Sequence, residues 1–406
     1  MPLGFRAGAV AAGIKASGRR DLGVLATTGQ PAAVAATFTT NRLSAAPVRL
    51  SQAHLAASGG WAGAVLTASG SANAATGPEG DADQLALAEA LAAAVGVPPH
   101  QTLALATGVI GTRLPVDRIR APIADLVAAG LSTGDDALAA LAEQLCTTDT
   151  HPKWASVRLE LPAPDGSSRT VTVAGIAKGV GMIHPRMATM LALVLTDATV
   201  DPPTLHGLLA PAVERTWNQL TVDGDTSTND TVLLLASGAA GTVPVQAGTE
   251  AADRLGAAIE VVARSLARQQ AADGEGATTL ITCQVSEAPD DATARAVARA
   301  VVGSSLVKAA VHGRDPNWGR IAAAVGNAEV GGQPVPIDVA RLAIAICGVP
   351  VFEGCPLSFD RSALSKLMAA PEVVVAVELG LGTGWGEAFG CDLSEGYVVE
   401  NSVYTT

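Results

Sequence analysis

The chain has 406 residues, of which 49% are hydrophobic, 16% are charged and 3% are aromatic. A chain with this much apolar surface to bury is not intrinsically disordered, and its length predicts two or three domains or one large one. The 26 Lys and Arg against 38 Asp and Glu give a net charge of −12. This charge argues against a nucleic-acid or anionic-membrane partner, because both require a basic surface.

No uninterrupted run of about 20 apolar residues occurs, which predicts no membrane span. The N-terminus lacks the strongly hydrophobic segment and the cleavage site of a secretory signal, so we expect a cytoplasmic protein. The cysteines have neither the CxxC pairs nor the spacing of a zinc site, and the histidines show no metal-ligand spacing, so we expect no metal. We interpret all five cysteines as buried small hydrophobic residues; they are Cys146, Cys283, Cys347, Cys355 and Cys391.

The first half of the chain reads as strands mixed with helices. Short β-rich runs predict strands at Val24–Ala26, Ala33–Phe38, Val48–Leu50, Ala64–Thr67 and Thr102–Ile110. Helices are predicted at Asp81–Val95 and Val116–Leu131.

The second half begins with a hairpin and a buried strand. The alternating segments Val157–Leu161 and Arg169–Val173 flank Pro-Asp-Gly, which predicts a hairpin, and the apolar run Met190–Leu195 predicts a strand buried on both faces. Further helices are predicted at Pro202–Leu220, Thr249–Gln270 and Asp291–Val302, and late strands at Val373–Leu379 and Tyr397–Val399. This order lacks a regular βαβ repeat and favours a layered αββα arrangement, with a candidate boundary in the loop Lys178–Met187.

The most informative segment combines a glycine-rich basic loop with a threonine that opens the buried strand. It reads Lys178-Gly179-Val180-Gly181-Met182-Ile183-His184-Pro185-Arg186-Met187-Ala188-Thr189-Met190-Leu191. If the Ala188–Thr189 bond were cut, the freed α-amine would act as a base for the Thr189 hydroxyl, which would become a nucleophile. The residues alone favour the alternative that Thr189 is an ordinary strand residue, because threonine beside a strand is common. A phosphate-binding loop is not supported, because the pattern G-x-x-x-x-G-K-[ST] is absent.

Two other polar segments attract attention. Thr107 and Gly108 end an apolar strand, where a hydroxyl and a backbone N–H together could stabilise an oxyanion, although the residues alone favour an ordinary strand-to-loop turn. The segment Thr221–Thr231 contains Asp223 and Asp225 but lacks the glycine position and the closing glutamate of a calcium loop, so we interpret it as a polar hydrogen-bonded loop.

Taken together, separated blocks of the chain resemble the ornithine acetyltransferases of arginine biosynthesis, the ArgJ family. The resemblance extends nearly from end to end, and its most specific block is the one that contains Thr189. The other blocks are Gly4–Asp21, Thr37–Asn41, Ser69–Gly77, Thr107–Pro115, Thr147–Lys153, Thr221–Gly238, Asp315–Arg320 and Glu400–Thr406.

The resemblance implies a self-cleaving enzyme of the N-terminal-nucleophile kind, with an αββα sandwich of the DmpA/ArgJ type. Cleavage between Ala188 and Thr189 would give an α chain of residues 1–188, with the oxyanion-hole pair and the N-terminal half of the sandwich, and a β chain of residues 189–406 with the nucleophile and the C-terminal domain. Thr189 would carry the acetyl group of N-acetylornithine to glutamate in a ping-pong cycle. Some members also use acetyl-CoA as donor; no other cofactor is implied. The implied assembly is an α2β2 heterotetramer of the cleaved chains.

The resemblance also assigns roles to individual residues. Thr107 and Gly108 match the oxyanion-hole pair. The residues that match the substrate contacts are Thr147, Lys178, Thr189, Glu275, Asn401 and Thr406. A one-residue shift would give the role of Thr147 to Thr148. Two other functions stay open: an N-terminal-threonine amidase or aminopeptidase on the same fold, which passes the acyl group to water, and an inactive binding protein.

Overall fold

The computed structural model describes residues 1–183 and 190–403 of the chain. The strands of the first half are β1 (Phe5–Val10), β2 (Leu22–Thr27), β3 (Ala32–Phe38), β4 (Trp61–Ala62), β5 (Ala64–Ser71), β6 (Thr102–Val109), β7 (Lys153–Pro162) and β8 (Ser168–Lys178). The strands of the second half are β9 (Leu191–Thr196), β10 (Leu220–Thr221), β11 (Thr231–Ala236), β12 (Leu280–Ala288), β13 (Glu329–Val330), β14 (Gln333–Pro334), β15 (Ala343–Ile346), β16 (Val349–Glu353), β17 (Glu372–Glu378) and β18 (Gly384–Cys391).

The α-helices are α1 (Ala46–Ser58), α2 (Gly77–Val95), α3 (Val116–Ala128), α4 (Asp135–Leu145), α5 (Pro202–Arg215), α6 (Glu250–Ala272), α7 (Asp291–Gly303), α8 (Ser305–His312), α9 (Trp318–Gly326), α10 (Arg361–Leu367) and α11 (Glu395–Val403). Several of them begin at a side-chain cap. Asp201 accepts a hydrogen bond from the N–H of Thr204 at α5, and Asp290 accepts one from Thr293 at α7. Such caps satisfy backbone N–H groups that have no partner inside the helix.

Two sheets pack face to face in the larger part of the molecule. Sheet 1 has the strand order β1-β2-β5-β6, and sheet 2 has the order β4-β3-β11-β9-β8-β7. Apolar side chains from both sheets and from α4 fill the space between them. Helices α2 and α3 cover the outer face of sheet 1, and α5 and α6 cover the outer face of sheet 2. The layers therefore follow the order helix, sheet, sheet, helix, and the αββα prediction is confirmed.

This layering explains why the central strands have continuous apolar sequences. In β9, Leu191 and Leu193 point into the core between the sheets, whereas Ala192 and Val194 pack beneath α5 and α6. A strand covered on both faces cannot alternate polar and apolar residues, so every residue of β9 and of β11 is buried.

The rest of the chain forms sheet 3, with the strand order β10-β18-β12-β17-β15-β16. Helices α7 to α10 contribute to a separate apolar core on this sheet. This core contains none of the side chains that fill the space between sheets 1 and 2. Most of sheet 3 follows α6 in the chain, but β10 precedes α6, and Leu280, Phe389 and Cys391 of sheet 3 pack in the core beneath α5 and α6.

The candidate boundary at Lys178–Met187 is wrong as a spatial boundary. Strand β8 ends at Lys178, and β9 begins at Leu191, yet the two strands pair antiparallel as neighbours in sheet 2. The glycine-rich loop that suggested a boundary is a connection inside one sheet. The division at residues 188 and 189 stays a prediction about processing of the chain.

Two predicted strands are helical. Val48–Leu50 lies in α1, where Pro47 occupies the first turn and Gly59 ends the helix in the left-handed conformation. Tyr397–Val399 lies in α11. In both cases a run of three residues is too short to decide the structure, and the tertiary contacts of the segment override its local preference. The other predicted helices and strands are confirmed, with ends that differ by a few residues.

Cys146, Cys283 and Cys391 are buried, as predicted, and Cys347 is half-buried. Cys355 is exposed, so its interpretation as a core residue is wrong. Among the described residues, no helix combines the length and the apolar character needed to cross a membrane.

Candidate active site

A cavity of about 130 Å³ lies beside the ends of β6 and β8. Six of the predicted site residues line it: Thr107, Gly108, Thr147, Lys178, Glu275 and Asn401. Three others, Ala188, Thr189 and Thr406, lie outside the described residues. Met190, which follows Thr189 in the sequence, also lines the cavity.

Lys178 provides the cationic side of this cavity. It is the last residue of β8, and its ammonium group donates hydrogen bonds to the hydroxyl oxygens of Thr107 at 3.1 Å and Thr147 at 2.9 Å. Its backbone oxygen accepts a hydrogen bond of 2.8 Å from the amide of Gln270 on α6. The lysine is therefore held from both its backbone and its side chain.

Gly108 occupies a position that only glycine fits. Its φ is +128°, and a Cβ atom added to it would lie 2.3 Å from the carbonyl carbon of Gly70 on the neighbouring strand β5. The register between β5 and β6 also shifts at Gly70 and Ser71. The close approach of the two backbones brings the end of β6, with the Thr107 hydroxyl, to the cavity wall.

Glu275 provides an anionic side of the cavity. The residue is buried, with 8% of its surface exposed. One carboxylate oxygen accepts a hydrogen bond of 2.9 Å from the Thr148 hydroxyl, and the other accepts one of 2.9 Å from the Asn401 side chain. Thr147 and Thr148 thus both line the site. The Thr147 hydroxyl accepts a hydrogen bond from Lys178, and the Thr148 hydroxyl donates one to Glu275.

The segment Thr221–Thr231 forms the polar loop that the sequence predicts. The Asp223 carboxylate accepts hydrogen bonds from the N–H groups of Met182 at 2.5 Å and Ile183 at 2.9 Å. Met182 has a φ of +53°, an unfavourable conformation for a residue with a side chain. Burial raises the pKa of Asp223, although these hydrogen bonds oppose the rise. Through these hydrogen bonds, the loop holds residues 182 and 183 at the cavity wall.

Comparisons with known proteins agree with the family resemblance seen in the sequence. The family model described as the ArgJ family matches residues 6–406. The chain is 46% identical to the arginine biosynthesis bifunctional protein ArgJ of Thermus thermophilus, over 100% of this chain and 99% of that relative. The chain belongs to the ArgJ family.

Solved ArgJ structures cover about half of the chain. The ArgJ protein of Bacillus halodurans is 39% identical, with a TM-score of 0.51 over 53% of this chain and 100% of that one. The ornithine acetyltransferase of Mycobacterium tuberculosis, solved with ornithine, is 39% identical, with a TM-score of 0.41 over 47% of this chain and 93% of that one. As a member of the ArgJ family, the chain is an enzyme of the acyltransferase class.

A buried ion cluster lies next to the cavity; the resemblance block Thr147–Lys153 contains two of its residues but assigned neither of them a role. Lys153 is fully buried, and its ammonium group lies 2.8 Å from Asp149 and 2.6 Å from Asp273. Burial alone would raise the pKa of Asp149, but Lys178, Lys153 and the N–H of Gly179 lower it to about 2. Burial alone would lower the pKa of Lys153, but the two carboxylates raise it above its ordinary value. The sequence signals of this cluster were the polar run that follows the apolar helix α4 and the block Thr147–Lys153, and neither pointed to Asp273.

Asp230 lies in the resemblance block Thr221–Gly238, but the sequence analysis assigned it no role. Its carboxylate lines the cavity, is almost fully buried, and has one oxygen without a hydrogen-bond partner among the described residues. Burial raises the pKa of Asp230 well above its ordinary value, although hydrogen bonds from Thr39 and from the backbone of Met190 oppose the rise.

Within residues 1–183 and 190–403, no group of three or more His, Cys, Asp or Glu side chains is arranged to hold a metal ion.

Proposed function

We propose that this member of the ArgJ family transfers the acetyl group of N-acetylornithine to glutamate through an acetyl-Thr189 intermediate. Two findings support the proposal. The chain matches the family model over residues 6–406, and its curated relatives are named arginine biosynthesis bifunctional proteins.

The observation that carries the proposal is the charge pattern of the cavity. Lys178 lies on one side, and Glu275 lies on another. N-acetylornithine and glutamate are both amino acids that present a carboxylate and an amino group to the enzyme. Lys178 is the group for the substrate carboxylate, and Glu275 is the group for the free side-chain ammonium of N-acetylornithine, because ionised hydrogen-bond partners bind most strongly.

The transfer step needs a nucleophile, a base and an oxyanion site. In our proposal the Thr189 hydroxyl attacks the acetyl carbonyl, and the α-amine of Thr189 accepts the hydroxyl proton. The tetrahedral oxyanion is stabilised by the Thr107 hydroxyl and the Gly108 N–H. Lys178 already donates to the Thr107 oxygen, which leaves the hydroxyl hydrogen of Thr107 available for the oxyanion. Collapse then breaks the C–N bond, and the amine of ornithine leaves with the proton.

The second half of the cycle reverses these steps with a new amine. The unprotonated α-amine of glutamate attacks the acetyl ester and releases the Thr189 hydroxyl together with N-acetylglutamate. The base in both halves is available only if the Ala188–Thr189 bond has been cut, so self-cleavage at that bond is part of the proposal. We further propose that acetyl-CoA serves as a second donor and that the cleaved chains assemble as an α2β2 heterotetramer.

The proposal is tested by incubating the purified protein with N-acetylornithine and glutamate and analysing the products by mass spectrometry. We expect equal amounts of ornithine and N-acetylglutamate, and none from the Thr189→Ala variant. Free acetate in place of N-acetylglutamate would instead show the amidase activity. A parallel reaction with acetyl-CoA and glutamate tests the second donor.

A further inference from the structure

We infer that the buried cluster of Asp149, Lys153 and Asp273 positions Lys178 and Glu275 relative to each other, and so determines the affinity for the amino-acid substrates. The inference rests on the proposed function of the cavity, in which Lys178 and Glu275 hold opposite charges of the same substrate. None of the three cluster residues lines the cavity itself. They are positioning residues and not catalytic ones.

Lys153 is the centre of the cluster. Its side chain has no exposed surface, and its ammonium group donates to Asp149 at 2.8 Å, to Asp273 at 2.6 Å and to the backbone oxygen of His151 at 3.3 Å. These three hydrogen bonds use all three ammonium hydrogens. Lys153 therefore has no hydrogen left for a substrate and acts only on its protein neighbours.

Asp149 connects this centre to the cationic side of the cavity. One of its oxygens accepts a hydrogen bond of 3.1 Å from the N–H of Thr147, and the other accepts one of 2.9 Å from the N–H of Gly179. The Thr147 hydroxyl is an acceptor for Lys178, and Gly179 directly follows Lys178 in the chain. A single buried carboxylate thus holds the backbone on both sides of the hydrogen bond between Lys178 and Thr147.

Asp273 connects the same centre to the anionic side. It lies two residues before Glu275, and its carboxylate accepts hydrogen bonds from the N–H of Thr150 at 3.1 Å and from the Thr150 hydroxyl. Thr148 lies next to Asp149 and donates to Glu275. The two sides of the cavity are therefore joined through Lys153 by ion pairs, by hydrogen bonds to the backbone and by the hydroxyl groups of Thr147, Thr148 and Thr150.

The charges of the cluster support a positioning role. Two carboxylates and one ammonium leave a net charge of −1 beneath the cavity, and Lys178 lies close enough to lower the pKa of Asp149. A buried ion cluster is a poor source of stability, because the loss of hydration offsets the attraction between its charges. The cluster instead contributes a fixed geometry. All three ammonium hydrogens of Lys153 are bonded, so its side chain cannot move without leaving a buried charge unpaired.

The test measures steady-state acetyl transfer and, by calorimetry, ornithine binding for Asp149→Asn and Asp273→Asn. We expect KM for both substrates and the ornithine Kd to rise at least about tenfold, as for the loss of one charge-assisted hydrogen bond. We expect kcat to fall by less than about threefold, because the cluster makes no hydrogen bond to Thr107 or Gly108 and reaches the oxyanion site only through Lys178. Asp125→Asn, which removes an exposed carboxylate on α3, is the matched control and should leave all three constants unchanged.

A double variant separates positioning from general damage. Asp149→Asn acts through Lys178, so adding it to Lys178→Met should raise KM by less than about twofold beyond the single Lys178→Met variant. Unchanged KM and Kd in Asp149→Asn, a parallel fall of kcat, or fully additive effects in the double variant would each overturn the inference.

If Asp149→Asn does not fold, Asp273→Asn carries the test, because it leaves the contacts of Asp149 with Thr147 and Gly179 in place. If neither variant folds, the cluster is a folding element and the inference is wrong. Absence of acetyl transfer by the unmodified enzyme would contradict the proposed function alone, because ornithine binding would still report on the cluster.

Discussion

The Lys178 side chain is held in place by hydrogen bonds and can still bind a substrate. Within the described part of the chain, its ammonium group contacts two threonine hydroxyls, which leaves one of its three hydrogens for a substrate. The Asp149 carboxylate attracts the Lys178 ammonium group, which lowers the cost of keeping a positive charge in this half-buried place. The same attraction lowers the pKa of Asp149. The residue is thereby suited to bind a carboxylate.

Replacing Lys178 by Met should raise KM for N-acetylornithine and for glutamate about 10- to 100-fold, because a charge-assisted hydrogen bond contributes about 1.5–3 kcal/mol. Steady-state kinetics with each substrate varied in turn measures the effect. Lys366→Met, on the surface of α10, removes the same charge far from any site residue and should have normal kinetics. Equal KM values in the two variants would rule out the role of Lys178.

The Asp149 carboxylate should also make the protein sensitive to acid. Its pKa is about 2 in the folded state against an ordinary value of 3.8, so the folded protein binds the proton less readily than the unfolded chain. The stabilisation is complete above pH 4 and is lost as the pH falls through about 2, with a size of roughly 2 kcal/mol.

This prediction is measured by urea unfolding between pH 5 and pH 2. The free energy of unfolding of Asp149→Asn should fall less steeply over this range than that of the unmodified protein, whereas Asp125→Asn should follow the unmodified protein. Identical slopes for Asp149→Asn and the unmodified protein would mean that Asp149 does not contribute in this way.

At the scale of elements, helix α11 closes one side of the cavity. The hydroxyl of Ser394, just before the helix, donates to the backbone oxygen of Gly276, and Asn401 on the helix donates to Glu275. Tyr397 also lines the cavity, and burial and the carboxylates of Asp223 and Glu275 raise its pKa. No side chain of α11 is buried, so the helix is held mainly by these polar contacts and by close backbone packing.

Gly276 is the point at which this packing is closest. Its φ is +66°, and a Cβ atom added there would lie 2.2 Å from the backbone nitrogen of Tyr397. Gly276→Ala should therefore displace α11 and lower acetyl transfer at least about tenfold, with a decrease in stability of about 1 kcal/mol from the backbone strain. Activity assays and thermal unfolding of the same preparations measure both effects.

Gly241 offers a matched control. It has a φ of +67°, but no atom lies within 4 Å of an added Cβ. Gly241→Ala should lose a similar amount of stability and keep its activity. If Gly276→Ala also keeps its activity, the contact of α11 with the cavity is not needed for turnover.

At the scale of the whole molecule, the predicted cleavage site divides a sheet and not a pair of domains. In sheet 2, strands β9 and β11 lie between β3 and β8. A cut between residues 188 and 189 would leave β3 and β8 in the first fragment, and β9 and β11 in the second. The two fragments would then share one hydrogen-bonded sheet and the cores on both of its faces.

We therefore expect fragments 1–188 and 189–406 to behave as one folded protein. With an affinity tag at the C-terminus, both should be retained through washes at high salt, should appear as two bands on a denaturing gel, and should separate only in guanidinium chloride. The Thr189→Ala variant should give one band of full length. Loss of fragment 1–188 in a salt wash would contradict the interleaved sheet, and two bands from Thr189→Ala would contradict the cleavage mechanism.

The sequence by itself determined the elements whose signals are local. The continuous apolar run of β9, the hairpin of β7 and β8, and the long helices α6 and α7 could be predicted because each pattern lies within one segment. The sequence also indicated the cavity residues through the motif blocks around Thr107, Thr147 and Lys178. It failed where a predicted strand rested on only three residues, as at Val48–Leu50 and Tyr397–Val399.

The family resemblance grouped distant residues such as Glu275 and Asn401 into one site, but only the tertiary structure decided which side chains pair there. Lys153 pairs with Asp273, 120 residues away, and Glu275 is bonded to Asn401, 126 residues away. Charged side chains in such pairs have no periodic pattern in the chain, because their burial is made possible by a partner that the fold supplies. The same holds for the interleaving of sheet 2, since hydrogen bonds between strands depend on the order in which the layers assemble and not on any one strand.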